Sequence, residues 1–238
     1  MHILVLQHER VEHPGIFRDF LKSDGHTWEA IELDQGEAFP SFDGYDALWV
    51  LGGPMDVWQE DEYPWLKQEK TFIREAVRER GLPYLGLCLG HQLLAEALGG
   101  EVGPSKTPEI GVIPVNLTNE GSQGELFDGV SESFNCLQWH SAEVIKMPEA
   151  GVVLASSPAC ESQAMKWRSN VYSLQFHVEI EIDTVKNWSK IPEYAAALER
   201  AMGEGAVDRF DAEAAANMRD FNAMAERIYN NWLRAIAS

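Results

Sequence analysis

One cysteine stands where a buried strand runs into a helix. In Pro83-Tyr84-Leu85-Gly86-Leu87-Cys88-Leu89-Gly90-His91-Gln92, the apolar residues up to Leu87 read as a short strand. The stretch Gly90 to Leu98 reads as a helix stopped by Gly99-Gly100. A nucleophile on such a turn projects beyond the carboxyl end of its strand, with small neighbours on either side to let other segments approach. It also lies at a helix N-terminus, whose partial positive charge favours thiolate over thiol. Two readings fit Cys88 on spacing alone: a catalytic nucleophile, or a buried structural cysteine of the ordinary kind. Cys136, in a strand-like stretch, and Cys160, after a turn, have no comparable setting and read as structural. An odd set of three cysteines without a CxxC pair is neither a disulfide framework nor a zinc site.

A cysteine nucleophile needs a base, usually a histidine oriented by a third group. Of the seven histidines, His177 ends the apolar run Val171 to Phe176, and Glu179 follows two residues later. In extended chain, residues i and i+2 share a side, so the carboxylate can fix the imidazole tautomer and stabilise its charged form. His-x-Glu alone equally fits a solvated strand end. His91 follows Cys88 on the helix and points sideways from the turn. His140, in Gln138-Trp139-His140-Ser141, reads as a loop residue lining the site. His2, His8, His13 and His26 lie in the first strand–helix unit with no neighbouring motif, and none of the histidines has metal-ligand spacing.

The elements that would carry these residues follow a clear order. Ile3 to Leu6, Thr27 to Leu33, Ala47 to Leu51 and Pro83 to Leu87 read as strands. Pro14 to Ser23, Glu62 to Arg80 and Gly90 to Leu98 read as helices. This alternation predicts right-handed βαβ units and a mostly parallel sheet. From Ile110 to Phe176 the pattern changes to short strands with frequent turns, predicting antiparallel pairs over Val112–Leu117, Ala142–Lys146, Val152–Ser156, Ser162–Trp167 and Val171–Phe176. The tail is helical. Asp211 to Arg234 carries Ala214, Met218, Phe221, Met224, Ala225, Ile228 and Trp232 on one stripe, which must pack on the same domain or on a second copy. The expected division is a domain over 1–185 and a helical extension over 186–238.

Composition narrows the partners. The 238 residues are 45% hydrophobic and 24% charged, an ordinary globular balance. Asp plus Glu is 38 against 19 Lys plus Arg, a net charge of −19. Such a surface repels phosphate backbones and anionic lipid, so neither nucleic acid nor a membrane is an expected partner. No apolar run reaches the roughly 18 residues of a membrane span. The apolar start Met1–Leu6 is too short for a signal peptide, so a cytoplasmic protein is expected.

Gly86-Leu87-Cys88-Leu89-Gly90-His91-Gln92, with Gly52-Gly53-Pro54-Met55 upstream and His177-Val178-Glu179 downstream, resembles the class I, triad-type glutamine amidotransferase domain. The resemblance covers roughly residues 40–185 and is closest to free-standing, GMP-synthase-like members. Glu109-Ile110-Gly111 and Gln138-Trp139-His140-Ser141 match segments seen there too. It implies an α/β, flavodoxin-like, mixed and mostly parallel sheet flanked by helices, with the helical C-terminal extension added. It also implies roles: Cys88 as nucleophile, His177 as general base and acid, and Glu179 as orienter. The N–H groups of Gly53 and Leu89 would form the oxyanion hole, while Gln92, His140 and Ser141 hold the glutamine. No cofactor or metal is implied.

Two departures stand out. Val178 replaces the family's frequent proline, which the chemistry does not need, and Asp56 stands where serine is frequent, which changes the charge of the pocket. The chain contains neither a Ser-Gly-Gly-x-Asp-Ser loop nor a GxxxxGK[ST] loop, so these residues are not expected to adenylate an acceptor themselves. The expected activity is glutamine hydrolysis feeding ammonia to a separate synthetase subunit. The alternatives are a stand-alone γ-glutamyl hydrolase or peptidase, and a catalytically silent binding module.

Overall fold

The computed structural model describes residues 1–237. The first part alternates as the pattern predicts: β1 (His2–Gln7), α1 (Phe17–Ser23), β2 (Thr27–Glu32), β3 (Ala47–Val50), α2 (Trp65–Arg74), β4 (Tyr84–Leu87) and α3 (Leu89–Ala97). Then follow β5 (Glu101–Leu117), α4 (Asn119–Ser122), β6 (Ser133–Lys146), β7 (Gly151–Ser156), β8 (Ala164–Trp167) and β9 (Val171–Leu174). The chain closes with α5 (Thr184–Trp188), α6 (Pro192–Met202) and α7 (Ala206–Ala237).

The strands form one mixed sheet in the order β2-β1-β3-β4-β9-β8-β7-β5-β6. The pairings from β2 to β9 are parallel. Those from β9 through β8, β7 and β5 to β6 are antiparallel. Successive residues of the parallel strands face opposite sides of the sheet. Ile3, Val5, Trp49, Leu85 and Leu87 join one buried cluster, with Phe17 and Leu21 of α1 and Ile228, Tyr229 and Trp232 of α7. Leu4, Leu6, Leu48, Val50 and Tyr84 join the other, with Leu66 and Ile73 of α2 and Leu93 and Leu94 of α3. Helices therefore cover both faces. The carboxyl ends of β1, β3, β4 and β9 meet at one edge, where open α/β sheets bind ligands.

Several boundaries differ from the sequence reading. The long helix expected over Glu62 to Arg80 starts at Trp65, just after Pro64, and its end loosens into a π-helical turn over Glu75–Glu79. The segment 101–117 is one long strand despite Pro104, Pro108 and Pro114, and it pairs with a long β6 on both sides of an irregular stretch between Pro104 and Glu109. Gln138-Trp139-His140-Ser141 consequently lies within β6, not in a loop: Glu109 pairs with His140 and Ile110 with Trp139. The C-terminal helix starts at Ala206 and reaches Ala237, and it places Phe210, Ala214, Phe221, Ile228 and Trp232 in the same core cluster as β1 and β4. No helix among the described residues is long and apolar enough to cross a membrane.

Candidate active site

Cys88 occupies the turn between β4 and α3 with φ 50° and ψ −103°. A positive φ is uncommon outside glycine, and strain of this kind concentrates at functional positions. Bonds on both sides hold the turn. The Cys88 N–H donates to Leu174 O of β9 (2.8 Å), and the Cys88 carbonyl accepts from His91 N–H (3.0 Å) and Gln92 N–H (3.2 Å). Gly90 lets α3 press against β3, since a Cβ there would lie 2.1 Å from Val50 O. The sulfur faces a pocket of about 410 Å³ lined by Gly53, Met55, Asp56, Leu89, Gln92, Trp139, His140 and Ser141, and by Glu193, Tyr194 and Arg200 of α6.

His177 and Glu179 follow β9, behind the sulfur. His177 is tied into the sheet by a single bridge, its N–H donating to Leu137 O of β6 (2.9 Å). Its Nδ1 lies 2.8 Å from Glu179 Oε1, and Glu179 Oε2 accepts from Val178 N–H at 2.9 Å. The carboxylate therefore fixes the ring with Nδ1 protonated. The Trp188 ring meets the imidazole edge-on at 4.5 Å between centroids. Nε2 is buried and has no hydrogen-bond partner among the described residues. Burial works to lower the pKa of this ring, while the charges of Glu179 and Cys88 work to raise it. The two neighbours prevail and hold it well above the ordinary histidine value. Of the other two thiols, burial pushes Cys136 far up and Cys160 up to about 12, so both stay protonated at neutral pH.

The structure brings all eight sequence-predicted residues to this place, with differences in how they act. Gly53 sits in a tight seat, where a Cβ would meet Leu89 Cδ2 at 2.7 Å and His8 Cβ and Met55 Sδ at 2.8 Å. No acceptor among the described residues takes the N–H of Gly53 or of Leu89. Gln92 directs its amide N–H groups inward, to Gln175 Oε1 (3.1 Å) and Ala142 O (3.3 Å). Gln175 Nε2 in turn lies 3.6 Å from Cys88 Sγ. His140 bonds to Ala142 O (2.9 Å) and lies 3.3 Å from Glu109 Oε2. Glu109 is itself held by Ser157 and Gln163, both at 2.7 Å. Ser141 lines the pocket from an exposed position on β6. His91 is buried against Ser173 Oγ (2.8 Å), and burial together with His140 lowers its pKa to about 3, so it stays neutral and structural.

Four more residues meet at the site without any signal in the sequence. Glu12, in the loop after β1, is buried beside His177: a Cβ on Gly52 would meet Glu12 Oε2 at 2.0 Å and His177 Cε1 at 3.3 Å. Its Oε1 accepts from the Tyr194 hydroxyl, and its Oε2 has no partner among the described residues. His8 bonds to Gly52 O and to Glu69, both at 2.8 Å. These contacts join residues 182, 44 and 61 positions apart, which no local motif encodes. No cluster of three or more His, Cys, Asp or Glu side chains among the described residues is arranged to hold a metal ion.

Comparison with known proteins places the chain. The family glutamine amidotransferase class-I matches residues 21–187. The glutamine amidotransferase-like protein YfeJ of Salmonella typhimurium is 31% identical over 190 residues, covering 78% of this chain and 79% of its own. A glutamine-hydrolyzing GMP synthase subunit from Sulfolobus acidocaldarius is 32% identical over 169 residues, covering 68% and 85%. Among solved structures, a glutamine amido transferase from Methylobacillus flagellatus superimposes with a TM-score of 0.84 at 26% identity, covering 98% of this chain and 94% of its own. A glutamine amidotransferase from Thermotoga maritima has a TM-score of 0.86 at 24% identity, a likeness of fold covering 100% and 99%. With its strand-to-helix cysteine, its Gly-Gly-Pro loop and its His-x-Glu in register, the chain belongs to the class-I glutamine amidotransferase family.

Proposed function

We propose that the protein hydrolyses the side-chain amide of glutamine, or of a γ-glutamyl compound, through Cys88, His177 and Glu179. The observation that carries this reading is the strained Cys88 facing an open pocket, backed by a histidine that Glu179 keeps protonated at Nδ1. The sulfur attacks the amide carbon, and its proton goes to His177 Nε2. The carbonyl electrons move to oxygen, where the N–H groups of Gly53 and Leu89 receive the charge. Such donors act in a low-dielectric site and are worth about 3–4 kcal/mol of barrier each. His177 then gives the proton to the leaving nitrogen, the C–N bond breaks, and ammonia departs from a γ-glutamyl thioester. Water, deprotonated by His177, attacks the thioester, and the C–S bond breaks to return the thiol and free glutamate. Gln92, His140 and Ser141 line the seat for the glutamyl group.

Several relatives are named as one of the subunits of a glutamine-hydrolyzing GMP synthase, and by that likeness a separate synthetase chain is the proposed consumer of the ammonia. A second reading, γ-glutamyl hydrolysis without a partner, is favoured by the size of the pocket. At about 410 Å³ it falls within the range that accepts drug-sized ligands, and α6 adds Glu193 and Arg200 to its mouth. Ammonia release from glutamine, compared with glutamate release from γ-glutamyl dipeptides by the same preparation, separates the two. Hydrolysis of neither, with Cys88 inert to a glutamine-mimicking electrophile, would leave a silent binding module.

A further inference from the structure

The peptide joining Gly52 to Gly53 is trans, so its C=O and N–H point in opposite directions. His8 lies on the carbonyl side, with Nδ1 2.8 Å from Gly52 O. A carbonyl only accepts, so Nδ1 must carry the proton. The ring is clamped: Nε2 lies 2.8 Å from Glu69 Oε1, Trp65 stacks on it at 5.5 Å and 17°, and both His8 and Glu69 are fully buried. A peptide between two glycines turns over easily, because no Cβ resists the rotation. If this one turned, Gly52 would present a carbonyl oxygen to the pocket in place of the Gly53 N–H, and would repel a developing oxyanion.

We propose that His8, held by Glu69, is a positioning residue for the oxyanion site: it draws the Gly52 carbonyl away from the pocket and thereby aims the Gly53 N–H at the substrate. The proposal rests on the reading of Cys88 as the nucleophile of an amide hydrolysis. Two further observations support it. The Gly53 N–H has no acceptor among the described residues and is free for a ligand. Burial works to lower the His8 pKa, but the charge and hydrogen bond of Glu69, with the Gly52 carbonyl, raise it overall, which favours a ring donating from both nitrogens.

A pair of substitutions separates positioning from packing. An asparagine amide at this position places its nitrogen near where Nδ1 stands, whereas a glutamine amide reaches instead towards Glu69. With γ-glutamyl-p-nitroanilide and glutamine as substrates, His8→Gln should lower kcat about 10- to 100-fold, below the loss of a hole donor itself, with KM within about twofold. His8→Asn should retain kcat to within about threefold of wild type, by the same hydrogen-bond argument. Alkylation of Cys88 by iodoacetamide, which forms no oxyanion, should proceed at the wild-type rate in both variants. An active wild type with undiminished kcat in His8→Gln would overturn the inference. So would equal losses in the two variants, or an alkylation rate that falls in step with turnover, since each would mean general disturbance of the site. Wild-type protein that hydrolyses neither substrate would remove the functional reading itself, and this inference with it.

Discussion

Cys88 combines three features that rarely coincide by chance: a positive φ, a helix N-terminus and a pocket at its sulfur. Cys88→Ala and Cys88→Ser are expected to abolish turnover while circular dichroism stays that of the wild type. Glu179→Gln should keep a residue of activity, falling by about 10²- to 10⁴-fold, because His177 retains its place but loses the group that sets its tautomer. Glu12 gives a pH prediction. Burial raises its carboxyl from 4.5 to about 7, against the opposing pull of the His177 charge and the Tyr194 hydroxyl. The folded state thus holds this proton more tightly than the unfolded chain. The stability it contributes is complete below about pH 4.5 and is lost as the pH rises through 7. His177 and His8, also raised, act in the same direction. Glu12→Gln should therefore raise the thermal midpoint relative to wild type at pH 8 and leave it near wild type at pH 4. A gain confined to acid pH would contradict this. Cys88, His177 and Glu179 are legible in the sequence because their signals are local: a strand-to-helix turn, and a carboxylate two residues from a histidine. Glu12, Tyr194, His8 and Glu69 carry no such signal, since each becomes meaningful only when distant loops and helices meet.

The turn at Cys88 depends on how closely β3, β4 and α3 approach one another. Gly90→Ala would drive a Cβ to 2.1 Å from Val50 O, which is backbone and cannot swing aside. Stability is expected to fall by about 1–3 kcal/mol in denaturant unfolding, and turnover to fall with it as Cys88 shifts. Unchanged stability would mean that α3 has room the structure does not give it. The βαβ elements are readable because apolar runs and glycine stops coincide with strand and helix ends. The long β5–β6 ribbon is not, because Pro104, Pro108, Pro114 and Gly111 interrupt its alternation, and β6 pairs with it on both sides of an irregular stretch between Pro104 and Glu109 that local pattern does not announce. For the same reason His140 and Ser141 read as a loop: only the registry of His140 with Glu109 and of Ala142 with Pro104 carries the strand through them. The end of α2 is hidden too, since nothing in Glu75–Glu79 distinguishes a π turn from a continuing α-helix.

Across the molecule, the C-terminal helices belong both to the core and to the site. α7 sends Trp232 under the sheet, edge-on to Trp49 at 5.4 Å, with its indole N–H donating to Tyr84 O at 3.2 Å. Trp232→Ala should cost about 3–5 kcal/mol, read from the denaturation midpoint, because a fully buried indole leaves a cavity. A near-neutral result would show that α7 is dispensable to the core. α6 closes the pocket with Tyr194, although it lies beyond the residues matched by the family. The amphipathic stripe makes a buried tail legible, but not that α6 walls the pocket, because a helix face does not state which surface it meets. One measurement bears on the whole arrangement of nucleophile, base and pocket: labelling the intact protein with a diazo-ketone analogue of glutamine and locating the adduct by peptide mass spectrometry. One adduct on Cys88 is expected, suppressed by glutamine or a γ-glutamyl peptide, with Cys136 and Cys160 unmodified. Equal labelling of the three cysteines, or a Cys88 that stays unmodified in folded protein, would contradict the assignment of Cys88 as the nucleophile.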